Sequence, residues 1–171
     1  MAIYGAGQSF DYTFKVTDEL KTTTSQFKCV GIVPGTTTQA DFTVNLCGVS
    51  NSIGGATCTA FHCIGINQSY LSSGSDTCVV RMFGISKVTC AESIPAGAFV
   101  MPYWGISTTT MPGRIVCIDD GVTQSAAGAS IAAHCVVLGR ALESGSTGTV
   151  ISVFVNPHMY DLSFIGTIGI T

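Results

Sequence analysis

Charge is scarce in this sequence. Only 10% of its 171 residues are Asp, Glu, Lys or Arg, against 46% hydrophobic residues, and the net charge is -3, whereas a typical globular chain is about 25% charged. The seven basic residues, Lys15, Lys21, Lys28, Arg81, Lys87, Arg114 and Arg140, are scattered along the chain. No phosphate-neutralising stripe is visible, which argues against nucleic acid as a partner. Long apolar runs are lacking too, so no segment reads as a membrane span and no membrane partner is expected. Met1 to Gly7 carries neither the basic nor the apolar region of a secretory leader, and the expectation is synthesis in a cytoplasm.

Signatures of catalysis and cofactor binding are equally thin. Neither Gly-x-Gly-x-x-Gly nor Gly-x-x-x-x-Gly-Lys-Ser/Thr occurs, which leaves no phosphate cradle. The eight cysteines, Cys29, Cys47, Cys58, Cys63, Cys78, Cys90, Cys117 and Cys135, include no C-x-x-C pair. Most sit in apolar stretches such as Ile115-Val116-Cys117-Ile118 and read as buried small hydrophobes, with disulfides as the alternative. Zinc held by Cys58, His62, Cys63, His134 and Cys135 is chemically conceivable, yet no spacing demands it. Ala132-Ala133-His134-Cys135 and, less closely, Thr59-Ala60-Phe61-His62-Cys63 resemble the histidine motif of trypsin-like proteases. A Gly-Asp-Ser-Gly nucleophile loop is absent, and too little chain follows His134 for the remaining triad members. The expectation is a protein that is not an enzyme and uses no cofactor or metal.

What the chain has in quantity is glycine, 20 residues, together with a Ser/Thr-rich polar complement. Such a surface loses few charges on burial and suits an assembly component better than a freely diffusing monomer. An internal echo runs through it. Thr36-Thr37-Thr38 recurs as Thr108-Thr109-Thr110, Gly48-Val49 as Gly121-Val122, Gly55-Ala56 as Gly128-Ala129, and His62-Cys63 as His134-Cys135. Offsets stay close to constant through Leu71 to Ser75 against Leu142 to Ser146, and reach Phe83 against Phe154. Matches kept in one order predict two tandem copies of a β unit of roughly 60 residues. Each copy reads as short strands divided by Gly, Ser and Thr turns, closing on Thr77 to Phe83 and Thr149 to Val155. The predicted fold is all-β, a sandwich or barrel made from both copies.

The expected division is an N-terminal arm over 1–24, one repeat over 25–86, the second over 87–157, and a C-terminal tail over 158–171. Within the arm Phe10, Tyr12, Phe14 and Val16 alternate with Asp11, Thr13 and Lys15, the period of a half-buried strand. That strand can add to a neighbour's sheet or pair at home. The tail keeps apolar residues to its end, Phe164 and Ile165 among them, and is expected to be docked.

Residues 90 to 157 resemble the β domain of tailed-bacteriophage capsid decoration proteins, also called head or cement proteins. The matching stretches are Ile94-Pro95-Ala96-Gly97, Gly113-Arg114-Ile115-Val116, Leu138-Gly139-Arg140-Ala141-Leu142-Glu143, Ser144-Gly145-Ser146-Thr147-Gly148 and Val153-Phe154-Val155-Asn156-Pro157. The resemblance implies a structural virion protein on the outer capsid surface, commonly a homotrimer, seated where major capsid protein subunits meet. On that reading Phe10, Tyr12, Phe14, Phe164 and Ile165 are candidate subunit or capsid contacts. A carbohydrate- or receptor-binding β module is the alternative, with Trp104, Tyr103 and Tyr70 as stacking residues.

Overall fold

The computed structural model describes residues 8–21, 25–33, 43–47, 49–50, 57–58, 62–103, 111–118 and 134–161. Phe164, Ile165, Trp104 and both Thr triplets lie outside them. The elements are β1 (Phe10–Val16), α1 (Asp18–Lys21), β2 (Cys29–Ile32), β3 (Thr43–Leu46), β4 (Val49–Ser50), β5 (Thr57–Cys58), β6 (Cys63–Asn67), β7 (Thr77–Thr89), β8 (Phe99–Pro102), β9 (Ile115–Cys117), β10 (His134–Ala141) and β11 (Val150–Asp161). Strands carry the fold, as their Val, Ile, Phe and Cys content requires. The one helix is a single turn, in which the Leu20 amide donates to the Thr17 hydroxyl at 3.4 Å and Leu20 is buried, a side-chain cap on an otherwise orphaned amide.

Nine strands form one sheet in the order β1-β3-β2-β6-β7-β11-β10-β8-β9, with β1 also paired to β7; β4 and β5 pair separately. The extra β1–β7 ladder closes β1, β3, β2, β6 and the first part of β7 into a five-stranded ring, whose β1–β3 contact is parallel. The second part of β7 continues into β11, β10, β8 and β9. A parallel bridge from Cys90, just past β7, to Ile115 at the start of β9 returns that series to β7. Closing both series leaves few unpaired edges.

Each ring surrounds its own apolar cluster. The first holds Phe14, Val16, Leu20, Val30, Val44, Leu46, Leu71, Cys78 and Val80, with Ile64 and Met82 packed against it. The second holds Val88, Cys90, Ile94, Val100, Ile115, Cys117, Leu138, Ile151, Val153 and Val155, and is joined by Cys29, Cys47, Cys63 and Ile66 from the first ring's strands. Several ladder-closing hydrogen bonds take the same form in both rings. Val16 N donates to Asp76 O and Cys90 N to Thr149 O; Thr17 N to Val44 O and Ala91 N to Ile115 O; Phe27 N to Asn67 O and Gly97 N to Ala141 O; Gln68 N to Val79 O and Leu142 N to Ser152 O.

Two strands run across expected divisions. The strand predicted to end at Phe83 runs on to Thr89, across the expected division between 86 and 87. Gly84, at φ 103°, lets the chain change direction without ending the strand. The tail expected from residue 158 begins inside β11, which passes through Pro157 to Asp161. Pro157 has no amide to donate, and it falls beyond the β7 ladder, which stops at Val155, and opposite the register shift of β10 between Val137 and Gly139, the sort of place where a strand tolerates proline. The N-terminal strand pairs at home: β1 is bonded to β3 and β7 of its own chain.

Candidate interaction surface

β1 places the candidate contact residues. Its period-two alternation turns Phe10, Tyr12, Phe14 and Val16 toward the first ring's interior, but only the last two are enclosed. Phe10 and Tyr12 remain 53% and 55% exposed, while Phe14 is buried in the core cluster. Phe14 lies further along β1, where Cys78 is its ladder partner and the ring is closed, so its side chain packs into the core. The three rings form a ladder, with centroids 5.2 Å apart from Phe10 to Tyr12 and 6.2 Å from Tyr12 to Phe14, each pair tilted by 46°.

Beside them opens a groove of about 450 Å³ lined by Phe10, Tyr12, Thr13, Phe14, Ile32, Ile64 and Met82. Phe10, Ile64 and Met82 also line an adjoining hollow that reaches Phe83, Asn156 and Pro157. Ring faces, two isoleucines and a thioether make this an apolar site that can bind by surface burial, at about 25 cal/mol per Å².

A second apolar row crosses the outer face of the sheet. Phe99, Arg140, Phe154 and Ile85 are successive ladder partners on β8, β10, β11 and β7. Phe83 meets Phe154 edge-on at 5.2 Å and 80°, a favoured aromatic geometry. The Arg140 guanidinium lies 5.2 Å from the Phe99 ring centre, a cation–π contact. Phe83, Ile85, Phe99, Leu142, Val150 and Phe154 are all exposed. Two nearby cations are ion-paired, while Arg140 within the row is held by the Phe99 ring and the Gly97 carbonyl. Arg81 Nε and Nη2 donate to Asp11 Oδ1 and Oδ2, both at 2.8 Å, and Lys87 Nζ to Glu143 Oε1 at 3.2 Å. The Arg81 hydrogen bond holds the Asp11 carboxyl below its ordinary value, and hydrogen bonds from Ser152 lower that of Glu143.

This second row escaped the reading of the sequence, although a signal was there. Val79, Phe83 and Ile85 are exposed on one face of β7 while Cys78, Val80 and Val88 are buried on the other. A strand apolar at both parities is one whose two faces are both meant to be covered.

The other candidate residues do not converge. Tyr70 projects from the loop after β6, 73% exposed, whereas Tyr103 packs with Met101 and Val116. The aromatic pairs described are tilted or edge-on rather than coplanar, unlike a sugar-stacking platform. Among the described residues no group of three or more His, Cys, Asp or Glu could hold a metal; the side chains of Cys58, His134 and Cys135 lie outside them. Cys29, Cys47, Cys63, Cys78, Cys90 and Cys117 are buried. Burial drives the Cys29 thiol well up and Cys78 to about 12, which leaves both as protonated packing groups rather than nucleophiles.

No protein-family model matches the chain, and no curated protein matches it. Among solved structures the head fiber gp8.5 N base of bacteriophage phi29 is similar at a TM-score of 0.43 and 14% identity, over 87% of this chain and 95% of that one. Similarity at that level leaves both fold and function to be argued from the chain itself.

Proposed function

We propose that this chain is a structural virion protein that sits on the outer surface of a tailed-phage capsid and stabilises the shell. The observation that carries the proposal is the outer cluster of Phe83, Ile85 and Phe154, all exposed, beside which Arg81 is paired with Asp11 and Lys87 with Glu143. A face of that composition is built to be covered, since contiguous exposed apolar surface marks interaction sites. Its partner on this reading is the major capsid protein, which agrees with the resemblance carried by residues 90 to 157. Three copies around a local three-fold position would bind through several modest contacts at once and leave slowly. The tail residues Phe164 and Ile165 belong to the same contact set.

The reading includes a duplication. Core residues Phe14, Val16, Leu20, Val30, Val44, Leu46, Cys78 and Val80 of the first ring have counterparts Val88, Cys90, Ile94, Val100, Ile115, Cys117, Ile151 and Val153 in the second, joined by the recurrent hydrogen bonds described above. On this reading the copies begin at β1 and at the second part of β7, and the N-terminal strand is a member of the first copy instead of an arm.

The test is co-sedimentation of purified protein with capsid shells stripped of it. Wild type pellets with the shells, and Phe83→Asp/Phe154→Asp, folded by circular dichroism, stays in the supernatant. Equal pelleting of the variant overturns the assignment of this face, and failure of the wild type to pellet overturns the capsid reading.

A further inference from the structure

The two rings differ in one respect: the mouth of the second is plugged and that of the first is open. Tyr12 and Ser86 occupy matching ladder positions, opposite Val80 and Val153, and Phe10 and Gly84 each lie two residues before them, Phe10 beyond a register shift. Ile64, Ile32 and Met82 correspond to Leu138, Pro102 and Val155. In the second ring this lining is sealed. Ser86 is 3% exposed, and Leu138 and Val155 are fully buried.

The first ring supplies the plug. Gln68 Nε2 donates to Ser86 Oγ at 2.8 Å, and Thr89 N donates to Phe27 O at 3.0 Å. Cys29 N donates to Gly113 O and Gly113 N to Cys47 O, while Cys29 and Ile66 enter the second core. The face that plugs is therefore Phe27, Cys29, Ile66 and Gln68. Its ladder counterparts on the second ring are Gly97, Phe99, Arg140 and Leu142, a face turned outward. Phe99 is 43% exposed and Leu142 48%.

Among the described residues one chain thus presents an open socket on its first ring and an exposed counterpart of the plug on its second. We infer that the Phe99–Arg140–Leu142 face of one copy docks into the Phe10–Tyr12–Met82 groove of a second copy, repeating between chains the contact that joins the two rings within one. The chemistry is complementary as well as the position. The socket is walled by tilted aromatic rings, and the plug carries an exposed guanidinium, which such ring faces attract, next to two apolar side chains that fill a groove. The contact is head-to-tail, so it closes into a ring or extends according to the rotation between copies. The inference rests on the duplication and requires no capsid; it takes Phe99 for the contact between copies and leaves Phe83, Ile85 and Phe154 to the capsid face, so the two readings are tested by different variants.

The experiment uses purified full-length chain and light scattering on a sizing column at about 100 µM, where a contact tighter than about 0.1 mM populates assemblies. Wild type elutes as a multiple of 17.7 kDa. Phe10→Asp/Tyr12→Asp removes the socket and Leu142→Asp removes the plug. Each alone elutes as a monomer with an unchanged circular dichroism spectrum. Mixed in equal amounts they give a one-to-one heterodimer and nothing larger, because one intact socket and one intact plug remain. Should an aspartate variant fail to fold, Tyr12→Ser and Leu142→Ser replace it and weaken assembly at least tenfold. A monomeric wild type, a mixture without heterodimer, or variants that assemble as the wild type does overturns the inference.

Discussion

Gly65 and Gly139 occupy the same place in two different ladders: a Cβ on Gly65 would land on the carbonyl oxygen of Arg81, and one on Gly139 on the carbonyl oxygen of Phe154. Each glycine precedes the residue that faces that carbonyl's own strand position, Ile66 opposite Arg81 and Arg140 opposite Phe154. Neither backbone can yield without breaking its ladder. Gly65→Ala and Gly139→Ala should each cost at least about 2 kcal/mol, the upper part of the range for overpacking. Gly74→Ala is the control, because a Cβ there meets nothing within 4 Å. Urea midpoints of the three variants check the prediction, and two similar losses beside an unchanged control are expected.

The strand alternation from Phe10 to Val16 was legible in the sequence because a period of two needs no partner to be visible. Where β1 goes was not, since its ladder partners Thr77 to Phe83 are far away in sequence. Phe83 read as the end of a strand, yet β7 runs on through Gly84 and Ser86. Pro157 read as the end of another, yet β11 passes through it at a register shift. The exposed pair Phe10 and Tyr12 was found by its pattern, whereas Phe83, Phe99 and Phe154 come together only when β7, β8, β10 and β11 are laid side by side.

The Asp11–Arg81 pair makes acid stability partly a property of one contact. Asp11 is held below its ordinary 3.8, chiefly by the Arg81 hydrogen bond. A depressed carboxyl contributes stability above its unfolded value and loses it as pH falls through the folded one. The loss therefore lies below about pH 4. With both side chains partly exposed the contribution is about 1 kcal/mol. Melting temperatures of wild type and Asp11→Asn should differ at pH 6, wild type being higher, and converge toward pH 2. A constant difference over that range would mean the pair does not titrate as described.

Burial of the thiols predicts resistance to alkylation. Cys78 is 1% exposed and its thiol is pushed up to about 12 by desolvation, so almost no thiolate exists at neutral pH. Iodoacetamide at pH 8 should leave Cys78 and Cys29 unmodified in the native protein and modify both in denaturant, as read by peptide mass spectrometry. Cys78→Ser should cost about 1–3 kcal/mol, because it buries a hydroxyl where a weakly polar thiol packs. Labelling of native Cys78 at the rate of a free thiol would show that the first core opens readily.

Phe14 and Tyr12 are neighbours on one face of one strand, their tilted rings 6.2 Å apart, and should nonetheless respond oppositely to truncation. Phe14 is enclosed with Val16, Leu20 and Cys78, so Phe14→Ala leaves a cavity and should cost about 3–5 kcal/mol. Tyr12 leaves more than half its surface in water, so Tyr12→Ala should cost less than about 1 kcal/mol in the isolated chain. Docking of copies through the groove, as inferred above, would reverse the order of importance. A dilute monomeric sample should tolerate Tyr12→Ala with little change in melting temperature, while the same substitution lowers the assembled fraction at high concentration. Measuring melting temperature against protein concentration separates the two effects. A site that only packs the monomer shifts the curve equally at every concentration, and one that lines an interface flattens its slope.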